Sequence, residues 1–148
     1  MDKSILKGVE GLEKTFVILK PSAVSRGLVG EIISRFERKG LRLLQMRLAM
    51  ITKSEAELLY DVHRGKPFFD DLVKTITSGK VVLMVLEGRE AVQVVRKMIG
   101  ATDPVKAEPG TIRGDYGLEI TDNLVHASDS KESFEKEYRI FFKPEEIM

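Results

Sequence analysis

The chain has no cysteine and no tryptophan. The first absence removes disulfide bridges and thiolate metal sites together. A strong charge of either sign is missing too. With 24 Lys and Arg against 23 Asp and Glu, the formal net charge is +1, which argues against a broad nucleic-acid-binding face. An anionic ligand must then be held by a few local cations, so small phosphorylated molecules are favoured and no stable nucleic acid complex is expected. Long apolar runs are also lacking. The longest, Val81–Leu86, falls far short of a bilayer span, and Met1-Asp-Lys-Ser-Ile-Leu-Lys-Gly8 has no apolar core of signal-peptide length. The expectation is a cytoplasmic protein with no membrane partner. Finally, no Gly-x-x-x-x-Gly-Lys-Ser/Thr occurs and no Gly-x-Gly-x-x-Gly follows a strand. A nucleotide site in this chain would use neither a P-loop nor a Rossmann turn.

What is present suits one domain. At 148 residues a chain can bury roughly two-thirds of its unfolded surface. Residues 1–12 have weak periodicity and read as a short N-terminal arm, leaving a single domain over 13–148. Lys14–Lys20 is a strand candidate stopped by Pro21. Val29, Ile32, Ile33 and Phe36 recur at helical spacing, and Gly40 ends that helix. Leu41–Ile51 reads as a second strand with Leu44, Met46, Leu48 and Met50 on one face. Thr52-x-x-Glu55 has the capping-box pattern and opens a helix through Tyr60. A helix over 68–78, a buried strand over 81–86 and a helix over 90–99 follow. Residues 100–117 have no period and read as one long loop, of the kind that is usually functional. A short last strand is expected within 118–125, then an amphipathic helix over 131–142. The fold class predicted is α/β, an α+β sandwich of the ferredoxin-like βαββαβ kind, with a small antiparallel sheet covered by helices.

One of the two histidines carries the sharpest chemical signal. His126 precedes small residues and the helix-capping types Ser128, Asp129 and Ser130. A position just before a helix N-terminus favours an anion such as phosphate, and Ala127 leaves room for one. On the final helix, Ser130, Phe134, Glu137 and Phe141 share a narrow face at about 100° per residue. Glu137 is therefore aimed inward with the aromatics, and a buried carboxylate needs a partner. An imidazole at the mouth of the same helix would serve. The carboxylate would then fix the ring's tautomer and leave the other nitrogen nucleophilic.

Other candidates surround this pair. Lys20 ends a strand, where α/β proteins often present functional groups. Arg96 borders the apolar stripe of its helix and Arg113 lies in the long loop. Together with Lys20 they make a candidate phosphate clamp, because arginine binds phosphate through a planar fork. Tyr60 and Phe68 flank a Gly-Pro turn and could stack on a base at a cleft rim. His63 has no carboxylate patterned toward it and reads as a surface residue.

With these residues assembled, the chain resembles the nucleoside diphosphate kinase family over nearly its whole length. The likeness rests on Ile18-Leu-Lys20-Pro21, Arg26-Gly-Leu-Val-Gly-Glu31-Ile32, Lys66-Pro-Phe68-Phe69, Gly110-Thr-Ile-Arg113-Gly-Asp115, Asn123-Leu-Val-His126-Ala-Ser-Asp-Ser130 and Glu132-Ser-Phe-Glu-Lys-Glu137. The resemblance implies a transferase of nucleotide metabolism that binds ATP. His126 would take the γ-phosphoryl group from a nucleoside triphosphate and pass it to a nucleoside diphosphate. By the same resemblance Lys20, Arg96, Thr102, Arg113 and Asn123 bind phosphates and ribose. Phe68 stacks on the base, Tyr60 lies near the catalytic histidine and Glu137 orients it. Mg²⁺ would arrive on the nucleotide's phosphates, with no protein metal ligand and Asp129 at most an indirect contact.

The family pattern is not matched everywhere. Pro21-Ser22-Ala23 stands where many members have Pro-Asp-Gly, Ala127 where many have glycine, and Asp103-Pro104 where Asn-Pro is usual. The chain also stops at Met148, short of the C-terminal segment of eukaryotic members. A homo-oligomer is expected, a hexamer ahead of a tetramer. Two rival readings use the same residues: a nucleotide-binding regulatory protein without turnover, and a histidine phosphotransfer module.

Overall fold

Alternating apolar side chains build a sheet that is covered on both faces. The computed structural model describes residues 10–148. Its strands are β1 (Leu12–Leu19), β2 (Arg42–Ala49), β3 (Val81–Arg89) and β4 (Val125–Ala127). They lie in the order β2-β3-β1-β4, and every neighbouring pair is antiparallel. The helices are α1 (Pro21–Ser25), α2 (Val29–Lys39), α3 (Lys53–Leu59), α4 (Phe69–Ile76), α5 (Ala91–Ile99), α6 (Ile112–Tyr116) and α7 (Lys131–Phe141). Strand order and pairing are those of the expected ferredoxin-like sheet, with α3 and α4 inserted before β3. Residues 1–9 of the expected arm lie outside the described residues, and Leu12 already pairs with Arg89.

Because successive strand residues point to opposite faces, β1 and β3 feed two cores at once. Phe16, Ile18, Leu83 and Val85 face α3, α4 and α7, whereas Val17, Leu19, Met84 and Leu86 face α2 and α5. This double burial explains the unbroken apolar run of β3, whose residues 81–88 are all buried. No helix among the described residues is long and apolar enough to cross a membrane.

The structure departs from or adds to the sequence expectations in four places. The loop over 100–117 contains α6, capped by Thr111, whose hydroxyl accepts from the Gly114 N–H at 3.0 Å. Pro21 stops β1 as expected but then occupies the first turn of α1, where its missing N–H costs nothing. Met46 and Leu48 of β2 and the following Met50 are not core: they are 48%, 56% and 57% exposed. A bulge between Leu43 and Gln45 breaks the alternation, so Leu44 and Ala49, an odd number of residues apart, pack on the same core. Finally, the last strand begins at Val125, where it was expected to end.

Candidate functional site

The late start of β4 moves His126 off the helix mouth and onto the sheet. It pairs with Ile18 of β1, so its side chain leaves the face packed by α7. Ser130, not His126, is the residue at the helix entrance; its hydroxyl accepts from the Ser133 N–H at 3.0 Å. The expected partnership survives this shift. His126 Nε2 lies 2.9 Å from Glu137 Oε1, and both side chains are largely shielded, at 18% and 14% exposure. With Nε2–H donated to the carboxylate, the in-plane lone pair belongs to Nδ1.

Sequence reasoning missed one member of this group. Ser128 is fully buried and donates its hydroxyl to the same Glu137 oxygen at 2.9 Å. Its spacing from His126 was the available signal, since residues two apart along extended chain share a face. Taken as a capping type, it was read for the wrong element. The ring of Tyr60 stands edge-on to the His126 ring, with centroids 6.1 Å apart. The Tyr60 hydroxyl is buried without a hydrogen-bond partner among the described residues. Burial, then the nearby charge of Glu137, holds its proton affinity above the usual tyrosine range.

The basic residues gather at the end of β1 and along β4. Lys20 is 4% exposed and donates to Asn123 Oδ1 at 2.8 Å. Burial pushes its pKa down to about 8, Arg113 adds to that effect and Asp122 opposes it. Asn123 in turn donates to the Thr102 carbonyl at 2.9 Å, and Thr102 itself is exposed. The Arg113 guanidinium is buried and threads into the backbone. It donates to the carbonyls of Gly100 at 2.9 Å, Val125 at 2.7 Å and Asn123 at 3.4 Å. Burial first, then Arg96, brings its pKa down to about 10. Arg96 donates to the Ala127 carbonyl at 3.3 Å.

Between these carbonyls sits Leu124, a fully buried leucine at φ 77, a conformation that side chains rarely adopt. The turn it makes sends the Leu124 carbonyl to the Lys20 N–H at 2.8 Å, while the carbonyls on either side reach Arg113. Nothing in composition or periodicity marks this residue.

The aromatic rim differs from the sequence reading. Phe68 is 41% exposed at the rim, but Tyr60 lies inside against His126. His63 is not a free surface residue. It is half-buried, with its ring 5.2 Å from that of Phe68 and 6.4 Å from that of Tyr60. Burial, followed by the charges of Lys66 and His126, lowers its proton affinity. Asp129 donates no contact to the histidine pair; its carboxyl accepts from the Ser133 hydroxyl and is held low by it, with Arg96 adding. Among the described residues no group of three or more His, Cys, Asp or Glu is arranged to hold a metal ion.

An imidazole braced by a carboxylate, with buried Lys20 and Arg113 and half-buried Arg96 on the neighbouring backbone, is an arrangement that can serve phosphoryl transfer. The family model described as nucleoside diphosphate kinase matches residues 13–147. The chain belongs to the nucleoside diphosphate kinase family. A nucleoside diphosphate kinase of Hyperthermus butylicus is 62% identical over 137 residues, which cover 93% of this chain and 96% of that protein. One from Pyrococcus furiosus is 61% identical, covering 92% and 86%. Among solved structures, the nucleoside diphosphate kinase of Halobacterium salinarum in complex with CDP superposes with a TM-score of 0.89 at 46% identity, covering 92% of this chain and 91% of that one. A transition state mimic of the Borrelia burgdorferi enzyme, with bound vanadate and ADP, gives 0.86 at 38% identity, with coverages of 93% and 91%. Like its relatives, this chain is a nucleoside diphosphate kinase in fold and family.

Proposed function

We propose that His126 is the residue through which this kinase passes a phosphoryl group from a nucleoside triphosphate to a nucleoside diphosphate. The observation carrying the proposal is the 2.9 Å contact between Nε2 and Glu137, which assigns the free lone pair to Nδ1. In the first half-reaction that lone pair attacks the γ-phosphorus. The Nδ1–P bond forms as the bond from γ-phosphorus to the β,γ-bridging oxygen breaks, and the diphosphate leaves with that electron pair. Glu137 balances the positive charge that the ring gains, and keeps the Nε2 proton. In the second half-reaction a β-phosphate oxygen of another diphosphate attacks the same phosphorus, and the electron pair returns to Nδ1.

The remaining residues position and neutralise. Lys20, Arg96 and Arg113 would meet phosphate oxygens, with Thr102 and Asn123 toward the sugar and phosphates. The Tyr60 hydroxyl, buried without a partner among the described residues, would donate to a group on His126. Phe68 offers a flat, half-exposed surface to a base. The donor set fits Mg²⁺ carried by the nucleotide: the lining groups are cations and amides, and Asp129 would be at most an indirect contact. When bound, Mg²⁺ neutralises charge on the phosphates. Catalysis thus rests on placement and electrostatics. We further infer a homo-oligomer, because Met46 and Leu48 of the outer strand β2 and the following Met50 are uncovered; the family resemblance favours a cytoplasmic hexamer ahead of a tetramer, and mass in solution tests the assembly.

The test of the reaction is to incubate the enzyme with γ-labelled ATP and quench in alkali. Acid-labile, alkali-stable label should appear on the protein, and added GDP should discharge it into GTP. Label that GDP cannot discharge would instead mark a phosphotransfer module, and no label at all a binding protein without turnover.

Two further outcomes follow from the geometry. In Glu137→Gln the ring loses a charged partner but keeps a hydrogen-bond acceptor. Its kcat should fall about tenfold or more, the scale on which partners of metal-ligating histidines matter, with KM little changed. An unaltered kcat would remove the orienting role. For Lys20, the ammonium dominates below about pH 8 and is lost above it. The kcat/KM for nucleotide should therefore decline as pH rises through about 8. A bound phosphate stabilises the ammonium, so the decline in kcat should come at higher pH. Lys20→Arg, whose side chain stays charged, should abolish the decline in kcat/KM.

A further inference from the structure

The loop carrying Arg113 has two sides, and only one belongs to the site described above. Inward, Arg113 grips the carbonyls of Gly100, Asn123 and Val125. Outward, two residues further along the same short helix, Asp115 and Tyr116 meet Arg35 of α2. The Arg35 guanidinium donates from Nη2 to Asp115 Oδ2 at 2.8 Å and to the Tyr116 hydroxyl at 3.3 Å. Nη1 donates to the Gly110 carbonyl at 3.3 Å, and Nε to Glu31 one turn back on α2 at 3.2 Å. The guanidinium also lies over the Tyr116 ring, 5.1 Å from its centroid. Asp115 closes the arrangement by accepting from the Gly110 N–H at 2.8 Å.

An isolated salt bridge at a surface contributes little. This group differs, because one planar fork ties three points of a single loop and is stacked on a ring as well. It also differs in what it ties. Helix α6 has five residues, too few to hold its own orientation without tertiary support. Helix α2 has eleven and is rooted in the core through Ile32 and Phe36, both fully buried. Ile112 roots α6 in the same core, and Arg35 is the fork that fixes its outer side to the rigid α2. On the outward side the other tie is Arg26, which donates to the Tyr116 carbonyl at 2.8 Å.

We propose that Arg35 is a positioning residue for nucleotide binding, acting through Asp115 to aim Arg113. Arg35 touches no nucleotide; it sets the rotation of α6, and with it the direction of the guanidinium on the opposite side. Displacement of a positioned group by about 1 Å can change rate or affinity by two orders of magnitude. The proposal rests on the reading that Arg113 holds nucleotide phosphates.

The test compares Arg35→Ala, Arg35→Lys, Asp115→Asn and the double variant Arg35→Ala/Asp115→Asn in steady-state kinetics with ATP and GDP. Arg35→Ala should raise KM for both nucleotides about tenfold while kcat changes less than twofold. Arg35→Lys, which keeps the charge for Asp115 but cannot fork to Gly110 and Tyr116, should recover only part of that loss. The two single effects on KM should not add in the double variant, because both act on one contact. A lowered melting temperature with unchanged KM would overturn the inference, as would additive effects. Should Arg35→Ala fail to fold, Asp115→Asn decides: a raised KM with retained kcat supports the proposal, and an unchanged KM overturns it. Arg113→Ala separates the two readings. If it leaves KM unchanged, the phosphate role of Arg113 falls; if it raises KM while the Arg35 and Asp115 variants do not, the positioning role falls.

Discussion

A His126→Ala variant should take up no label from γ-labelled ATP and should lose turnover by roughly four orders of magnitude or more, the scale for removal of a covalent nucleophile. The effect is expected to be chemical and not structural. His126 lies on β4 at the sheet edge and is only partly enclosed, and its ring meets those of Phe16 and Tyr60 edge-on. Glu137 keeps its hydrogen bond from Ser128 at 2.9 Å after the imidazole is gone. The stability loss should then be about 1 kcal/mol, the usual net worth of one hydrogen bond. Labelling read beside a thermal melt checks both halves. Retained labelling in a folded His126→Ala protein would move the reaction to another residue.

Replacing Arg113 should damage binding and folding together. Its guanidinium serves the carbonyls of Gly100, Asn123 and Val125 from within the protein. In Arg113→Ala these acceptors lose their donor, and a loss of about 2–4 kcal/mol in stability is expected, since each stranded buried group costs about 1–3 kcal/mol and water can recover part. Removing a cation from the proposed phosphate site should at the same time raise KM for nucleotides about a hundredfold. Arg113→Lys keeps the charge but not the fork, and should retain more affinity than stability. Arg96→Ala makes the informative contrast. Arg96 donates to a single carbonyl, that of Ala127, so its loss should weaken binding with little change in the melt. Denaturant unfolding and steady-state kinetics on the same preparations separate the two effects.

The core of the fold was legible in the sequence where one force dominated. The apolar run of β3 announced burial on both faces, and the stripes of α2 and α5 and the capping box at Thr52 announced helices that the structure contains. Glu137 was legible because a carboxylate aligned with Phe134 has to find a partner. Elsewhere local rules competed. The bulge in β2 shifts its alternation by a residue that no period can reveal. Helix α6 hid among glycines and prolines, since a five-residue helix held by Thr111 and two arginines needs no helical periodicity. His63 looked idle because its neighbours, Tyr60 and Phe68, are aromatic and not acidic. Ser128 and Leu124 act through tertiary contacts and backbone geometry, neither of which a residue type records. The cations Lys20, Arg96 and Arg113 were named from their elements, but the embrace of the β4 backbone by the two arginines was not foreseeable.

That embrace has a consequence for how such a pocket can change. The carbonyls immediately before and after His126 are held by Arg113 and Arg96, at 2.7 and 3.3 Å. The groups proposed to grip the incoming anion are thus the same ones that steady the nucleophile from both flanks. Grip and aim share their atoms, so no single substitution at either arginine can retune one and leave the other alone.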